Sequence, residues 1–305
     1  YMLAFAVAFI LYYGRQKRVK PRVYLIIGLS LLAGFGMTAI QLGPAVELFR
    51  FSARGGATSD VFLRGLIEPY KLARLLSPDF FGNPVSRDLT IGYIETSGYY
   101  GIIPLLFTLY AMGVWRKKSI IRFFALAFLG AMLLSLKGIG TIVETLHIPV
   151  ITSGSGDRIF ALVLFSGSVI AAFGLDRFLQ TEDWQGLRKV IIRFAIGAGI
   201  IVGFSYLFQP FLEITSRQSL VAGVRFSGII VACFFAVVLL WRWTRSTVGR
   251  NSTFVLAMII VGLTYGDVYR MAYRFLPFSN PKFLYPETPL IRSVRGAAAG
   301  SLDRV

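Results

Sequence analysis

The amino-acid sequence predicts an all-α protein, a polytopic transmembrane helix bundle of about eight spans whose long outer loop carries short interfacial helices. Three observations support this fold class. Of 305 residues, 55% are hydrophobic and only 15% are charged, whereas about 25% of a soluble domain is charged. Apolar runs recur that are long enough to cross a bilayer. The loops between them alternate between short, basic segments and long segments of mixed charge.

The predicted spans are assigned to helices, because an open strand leaves backbone groups unsatisfied in lipid. They cover residues 1–13, 23–42, 98–115, 120–136, 159–175, 190–208, 226–241 and 252–266. The chain is divided into a transmembrane bundle, 1–266, which includes the outer loop 43–97, and the start of an extracytoplasmic domain, 267–305.

The distribution of charge predicts the orientation of the chain. The short loops contain 16 Lys and Arg residues and 3 acidic residues, whereas the long loops contain the other 16 basic residues and 12 acidic residues. Because basic loops stay on the cytoplasmic side, the long loops and both ends of this chain are placed outside. The net charge of +17 is assigned to topology and to contact with anionic lipids, and no nucleic-acid partner is expected.

Few residues offer metal or nucleophile chemistry. With Cys233 as the single cysteine and His147 as the single histidine, the sequence excludes an internal disulfide and a zinc site built from several cysteines or histidines. No metal site is therefore predicted in this chain.

The first candidate site is the charged end of the second span. If the helix continues past Pro44, Glu47, Arg50 and Arg54 share one face at spacings of three and four. Glu47 and Arg50 can then pair, and the two arginines can bind a phosphate beside a candidate base. The alternative is an interfacial helix end whose arginines extend toward water.

Two further carboxylates belong to the same outer loop. Asp79 follows Pro78 within "LARLLSPDFFGNP", whose first part is predicted to be an amphipathic interfacial segment. Its alternative role is to form a turn. Glu95 precedes the third span, where a carboxylate is costly unless it is paired or hydrated. The alternative is an exposed glutamate at a helix start.

The segment "TSGSGDRIF", residues 152–160, supplies the third candidate. Free N–H groups at the start of the fifth span favour an anion, and Arg158 adds a positive charge. The alternative is a loop in which Asp157 caps the helix.

Several of these segments resemble one family of membrane proteins. "IQLGPAVELFRFSARGG", "LLSPDFFGNP", "YIETSGYYGIIPLLFTLYA" and "DRIFALVLFSGSVIAAFGLDRFL" resemble, in this order, motifs of the YfhO-like bacterial membrane protein family. The tail "YPETPLIRSVRGAAAGSLDRV" resembles the opening of that family's outer C-terminal domain. The family is in turn similar to the C-type polytopic glycosyltransferases.

The resemblance implies a function on the outer face of the bacterial cytoplasmic (inner) membrane. A sugar would pass from a polyprenyl-phosphate carrier to a cell-envelope polymer such as teichoic acid. Glu47, Glu95 and Asp79 are the candidate catalytic carboxylates, and Arg50, Arg54 and Arg158 would bind substrate or phosphate. The chain is expected to be a fragment that lacks the main base, which the superfamily carries in an earlier outer loop. No cofactor is expected in the fragment, and a divalent cation in the full-length protein is left open.

Two other functions remain open. A transporter or flippase of a lipid-linked precursor would need polar residues at the membrane midplane. The predicted spans are nearly free of charge at their centres, and the polar residues there are mostly Ser and Thr. A non-catalytic protein of envelope assembly would use the charged outer loops to bind a partner.

Overall fold

The computed structural model describes residues 1–51, 58–81, 98–146, 155–207, 217–248, 251–275 and 287–298. Every regular element within these ranges is helical, and one isolated bridge is the only β pairing among them. The α-helices are α1 (Met2–Gln16), α2 (Pro21–Phe51), α3 (Thr58–Arg64), α4 (Ile102–Met112), α5 (Ser119–Ser135), α6 (Ile139–Thr145), α7 (Phe160–Thr181), α8 (Trp184–Leu207), α9 (Arg217–Val248), α10 (Asn251–Phe275) and α11 (Pro289–Ala298). Two 3₁₀ helices, Pro69–Leu75 and Gly156–Ile159, lie in the connections.

The predicted all-α membrane bundle is confirmed. Each predicted apolar run falls on one helix. Among the described residues, five helices are long and apolar enough to cross a membrane: α2, the 156–181 segment that ends with α7, α8, α9 and α10. Three shorter apolar helices, α1, α4 and α5, lie among them. The count of eight spans stays a prediction.

Helix α2 exposes its apolar side chains along its whole length. None of its most hydrophobic 18-residue window is buried, and Gly28, Gly34, Gly36 and Gly43 all face open space. An apolar surface of this extent is not compatible with water. Lipid is therefore the medium that fits this helix.

The packed centre is formed by α4, α7 and α5. At Gly174 a Cβ would collide with the carbonyl oxygen of Phe107, so only glycine lets α7 approach α4 this closely. The Thr108 hydroxyl donates a 2.9 Å hydrogen bond to the Gly167 carbonyl across the same interface. The Phe107 ring meets the Phe234 ring of α9 edge-on, with centroids 5.7 Å apart. Aromatic packing and a satisfied hydroxyl together fix this contact.

Contacts between the connections fall at two separate ends of the bundle. At one end the Ile67 N–H donates to the Ser135 carbonyl over 2.8 Å, and the Lys137 N–H donates to the Ile67 carbonyl over 2.9 Å. At the other end the Tyr12 hydroxyl donates to the Ser119 carbonyl over 3.0 Å. We call the first the outer end and the second the basic end, after the predicted location and the charge of their loops. This separation agrees with the alternation of loops in the sequence.

The chain divides into two compact units, 1–268 and 269–305. In the second unit, the Thr288 hydroxyl accepts a 3.3 Å hydrogen bond from the Ile291 N–H at the start of α11. Glu287, just before this helix, forms a 2.9 Å ion pair with Arg295 on it. A capped helix start and this pair stabilise α11 locally.

Candidate functional site

A buried carboxylate lies inside a helix long enough to span the membrane. Asp267 of α10 has 1% of its surface exposed. Its Oδ2 accepts hydrogen bonds from the Tyr99 hydroxyl over 2.6 Å and from the Ile102 N–H over 3.1 Å. Gly101, with φ +105, provides the turn that brings the start of α4 to this carboxylate, because few other residues adopt that conformation.

The turn after the first 3₁₀ helix packs against the first turns of α9. The Ser77 hydroxyl donates a 2.8 Å hydrogen bond to the Gly223 carbonyl. A Cβ at Gly223 would collide with the main-chain carbonyl of Asp79, so the glycine permits the close approach. Asp79 itself is buried. The predicted turn role of Asp79 is therefore compatible with a position inside the packed outer end.

The same face of α9 continues to the Asp267 site. Ser227 follows Gly223 by one helical turn, about 6 Å along the axis. It is buried and lies near the Tyr99 hydroxyl. The two sets of buried polar groups, one at Asp79 and one at Asp267, thus contact successive turns of α9.

The 3₁₀ helix Pro69–Leu75 brings a positive charge into this region. Arg74 is 1% exposed, and its guanidinium carbon lies 5.8 Å from the centre of the Phe81 ring. A buried guanidinium is costly unless its surroundings stabilise it, and an aromatic face is one favourable contact. Within the segment predicted to be interfacial, Arg74 is thus enclosed by the packing.

Arg158 lies on the 3₁₀ helix Gly156–Ile159 that leads into α7. Its side chain is exposed, and it and Asp157 are close enough to Tyr1 to influence the Tyr1 hydroxyl electrostatically. Ser155, not Asp157, occupies the N-cap position, and it makes no capping hydrogen bond through its side chain. The alternative in which Asp157 caps the helix is therefore wrong.

Glu47 and Arg50 lie on α2, which continues past the predicted end of the span at 42 and through Pro44 to Phe51. Both side chains are exposed, and neither forms a hydrogen bond or ion pair with another described residue. The expected Glu47–Arg50 pair is therefore absent from the described part of the chain. Arg54 and Glu95 lie outside the described residues.

The structure thus places one predicted residue, Asp79, within a group of buried polar side chains. Arg74, Tyr99 and Asp267 were not predicted. Tyr99 lies in the quoted "YIETSGYYG" motif, and Asp267 directly follows the predicted eighth span. The signal that would have found Asp267 is the continuation of apolar and aromatic residues beyond it, to 273, which keeps it inside the helix.

The described residues contain no group of three or more His, Cys, Asp or Glu side chains that could hold a metal ion. What the described outer end offers is carboxylates, a guanidinium and hydroxyls. Such groups can accept a proton and stabilise an anion without further components.

The polar contacts at the basic end cap the start of one helix and join it to its neighbours. Asp183 accepts a 2.8 Å hydrogen bond from the Gly186 N–H at the start of α8, and its other oxygen lies 3.6 Å from Arg177. The guanidinium of Arg177 also lies 4.9 Å from the centre of the Tyr110 ring. This cluster caps α8 and ties it to α7 and α4.

Comparison of the chain with protein-family models, with curated proteins and with solved structures finds no match in any of the three.

Proposed function

We propose that the protein is a membrane glycosyltransferase that moves a sugar from a polyprenyl-phosphate carrier to a cell-envelope polymer at the outer end of the bundle. The proposal rests on the burial of Arg74 and Asp79 in one short segment of the outer loop. This segment lies at the outer end of the bundle, whose exposed apolar helix surfaces fit lipid. The order of motifs that resemble the YfhO-like family supports the same reaction class.

The reaction requires a base and a cationic group. An acceptor hydroxyl attacks the anomeric carbon, its proton passes to a carboxylate, and the bond from that carbon to the phosphate oxygen breaks. The electron pair leaves with the polyprenyl phosphate. In the proposal Asp79 accepts the proton and Arg74 stabilises the departing phosphate. A charge acts more strongly away from bulk water, which is a reason to bury both groups.

The test is transfer of a radiolabelled sugar in membrane vesicles, with a panel of polyprenyl-phosphate sugars and a cell-wall polymer acceptor. Asp79→Asn and Arg74→Lys should each lower kcat by at least about a hundredfold, because each removes a group that acts in the transition state. Asp176→Asn is the matched control. This exposed carboxylate on α7 near the basic end accepts a 2.8 Å hydrogen bond from Gln180, and its loss should leave transfer unchanged.

Thermal unfolding of each variant separates loss of chemistry from loss of fold. Variants that melt with the unsubstituted protein and still transfer sugar at its rate would refute the proposed roles. Transfer that is undetectable for every donor in the unsubstituted protein would refute the activity.

One observation favours transport as a second candidate. Asp267 is a carboxylate within the Ser252–Tyr273 span, and such residues often mark a path for a substrate or proton. In vesicles without acceptor, a transporter would move labelled lipid-linked precursor across the bilayer, and Asp267→Asn would slow that movement. The proposed enzyme would show no movement under the same conditions.

A further inference from the structure

A second feature lies at the basic end of the bundle, between α9 and α10. An apolar cavity of about 230 Å³ is lined by residues of both helices. Its floor is buried, with Trp241 at 6%, Ser252 at 5% and Leu256 at 1% exposure, whereas Leu240 and Val255 at its rim are at least half exposed. The cavity therefore opens toward the medium that surrounds the helices, which for these side chains is lipid.

The Ser252 hydroxyl lines this cavity. It is buried and makes no hydrogen bond with any described residue. Because Ser252 is the second residue of α10, no preceding turn of that helix offers the carbonyl that a serine inside a helix usually bonds. A buried hydroxyl without a partner is costly, so the cavity fits a ligand that is mostly apolar and carries one hydrogen-bonding group near the membrane surface.

One described arginine is the immediate chain neighbour of the cavity lining. Arg242 directly follows Trp241, is exposed, and its guanidinium carbon lies 5.5 Å from the centre of the Trp184 ring. Trp243 is 80% exposed, as is typical of tryptophans at a membrane–water interface. The cavity is therefore at headgroup depth, where the cation of Arg242 attracts an anion.

We propose that this cavity binds one acyl chain of an anionic glycerophospholipid. An ester carbonyl of the lipid accepts a hydrogen bond from the Ser252 hydroxyl, and the headgroup phosphate faces Arg242. Burial of the chain gives little selectivity, because lipid tails are as apolar as the cavity. The preference for this lipid thus comes from the hydroxyl and the arginine. This site is independent of the proposed glycosyl transfer at the outer end.

Photocrosslinking in nanodiscs tests the proposal. The probes are phosphatidylglycerol and phosphatidylcholine, each with a diazirine on the same acyl chain, and labelled peptides are mapped by mass spectrometry. Phosphatidylglycerol should label residues 237–259 preferentially. Arg242→Gln should reduce that preference about fivefold, the effect of one cation near an anionic surface. Ser252→Ala should reduce labelling about fivefold, the effect of one hydrogen bond.

A variant that fills the cavity provides the steric control. Val255→Trp should remove labelling of residues 237–259, whereas Leu126→Trp should leave it intact. Leu126 lies on α5 and is as exposed as Val255, at 53% against 50%. The melting temperature of every variant in nanodiscs verifies that each is folded. Equal labelling by the two lipids, unchanged labelling in Val255→Trp, or stronger labelling by a polyprenyl phosphate probe would each overturn the proposal.

Discussion

The Tyr99 hydroxyl donates a 2.6 Å hydrogen bond to Asp267, which lies 168 positions later in the chain. This bond joins the segment before α4 to α10. Both side chains are buried, at 5% and 1% exposure, so water could not replace this hydrogen bond if it were lost. The contact therefore fixes the last long apolar helix against the start of the packed centre.

The change Tyr99→Phe should lower the free energy of unfolding by about 2 kcal/mol, the usual contribution of a hydrogen bond to a carboxylate. Reversible unfolding in mixed micelles measures this value. Tyr12→Phe is the matched control, because its hydroxyl bonds the neutral carbonyl of Ser119 at the basic end and should cost about 1 kcal/mol or less. Equal losses in the two variants would contradict the assigned importance of the Tyr99–Asp267 contact.

A methyl group at Gly223 should disturb the outer end. Gly223→Ala places a Cβ against the Asp79 carbonyl, and the resulting displacement should cost about 1–3 kcal/mol of unfolding free energy. Gly228→Ala on the same helix meets open space and should stabilise the helix by up to about 1 kcal/mol. Opposite signs for these two changes in mixed-micelle unfolding are the expected result. A stabilised Gly223→Ala variant would show that the 77–81 turn does not pack closely on α9.

The stability contributed by Glu68 should depend on pH. Burial raises the pKa of this carboxyl, but the hydrogen bond from Lys71 and the charges of Lys71 and Lys137 outweigh burial and hold the pKa below its usual 4.5. A lowered pKa means that the carboxylate stabilises the folded protein above about pH 4.5, and that this contribution is lost as the pH falls through the folded-state pKa.

Glu68→Gln should therefore lower stability at pH 7, and the loss should shrink as the pH falls toward 3. The ion pairs at 2.7 Å and 3.8 Å involve a side chain that is one-third exposed, so the loss should be below about 1 kcal/mol and smaller at high salt. Thermal unfolding at both pH values measures it. Glu144→Gln is the control, because Glu144 forms no ion pair with a described residue. A loss that persisted at pH 3 would show that Glu68 acts by packing.

The orientation of the bundle can be tested with two single cysteines. In a Cys233→Ser background, Lys137→Cys at the outer end should react with a membrane-impermeant maleimide in intact cells. Lys117→Cys in the basic connection between α4 and α5 should react only after permeabilisation. Both side chains are exposed, so access and not burial decides the result. The reverse pattern would invert the predicted topology.

The fold class could be predicted from the sequence because each long apolar run, with its low content of charge, extends over a whole helix. The predicted helix boundaries were less accurate at the outer end. Helix α2 continues beyond its predicted end through Glu47 and Arg50, and the sequence could not show that these side chains stay exposed and form no pair with a described residue. Spacing on one helix predicts which residues share a face and does not determine what that face contacts.

The buried polar groups were harder to predict, because each depends on contacts distant in sequence. Arg74 was placed in an interfacial segment by its neighbours, yet Phe81 and the packing of the outer loop enclose it. Asp267 was placed just beyond its span, and only the contact with Tyr99 shows that it belongs to the buried interior. Asp79 was selected as a candidate from the turn signal of Pro78, and that signal did not reveal its burial or its contact with α9.

The pairing of Ile67 with Ser135 and Lys137 uses only main-chain atoms. Substitutions that fit the packing around these three positions therefore preserve the attachment of the outer loop, provided that proline does not replace Ile67 or Lys137, whose N–H groups both donate. Divergent relatives would then share this attachment as geometry and not as a motif, and a search for them should compare the path of the backbone at this bridge.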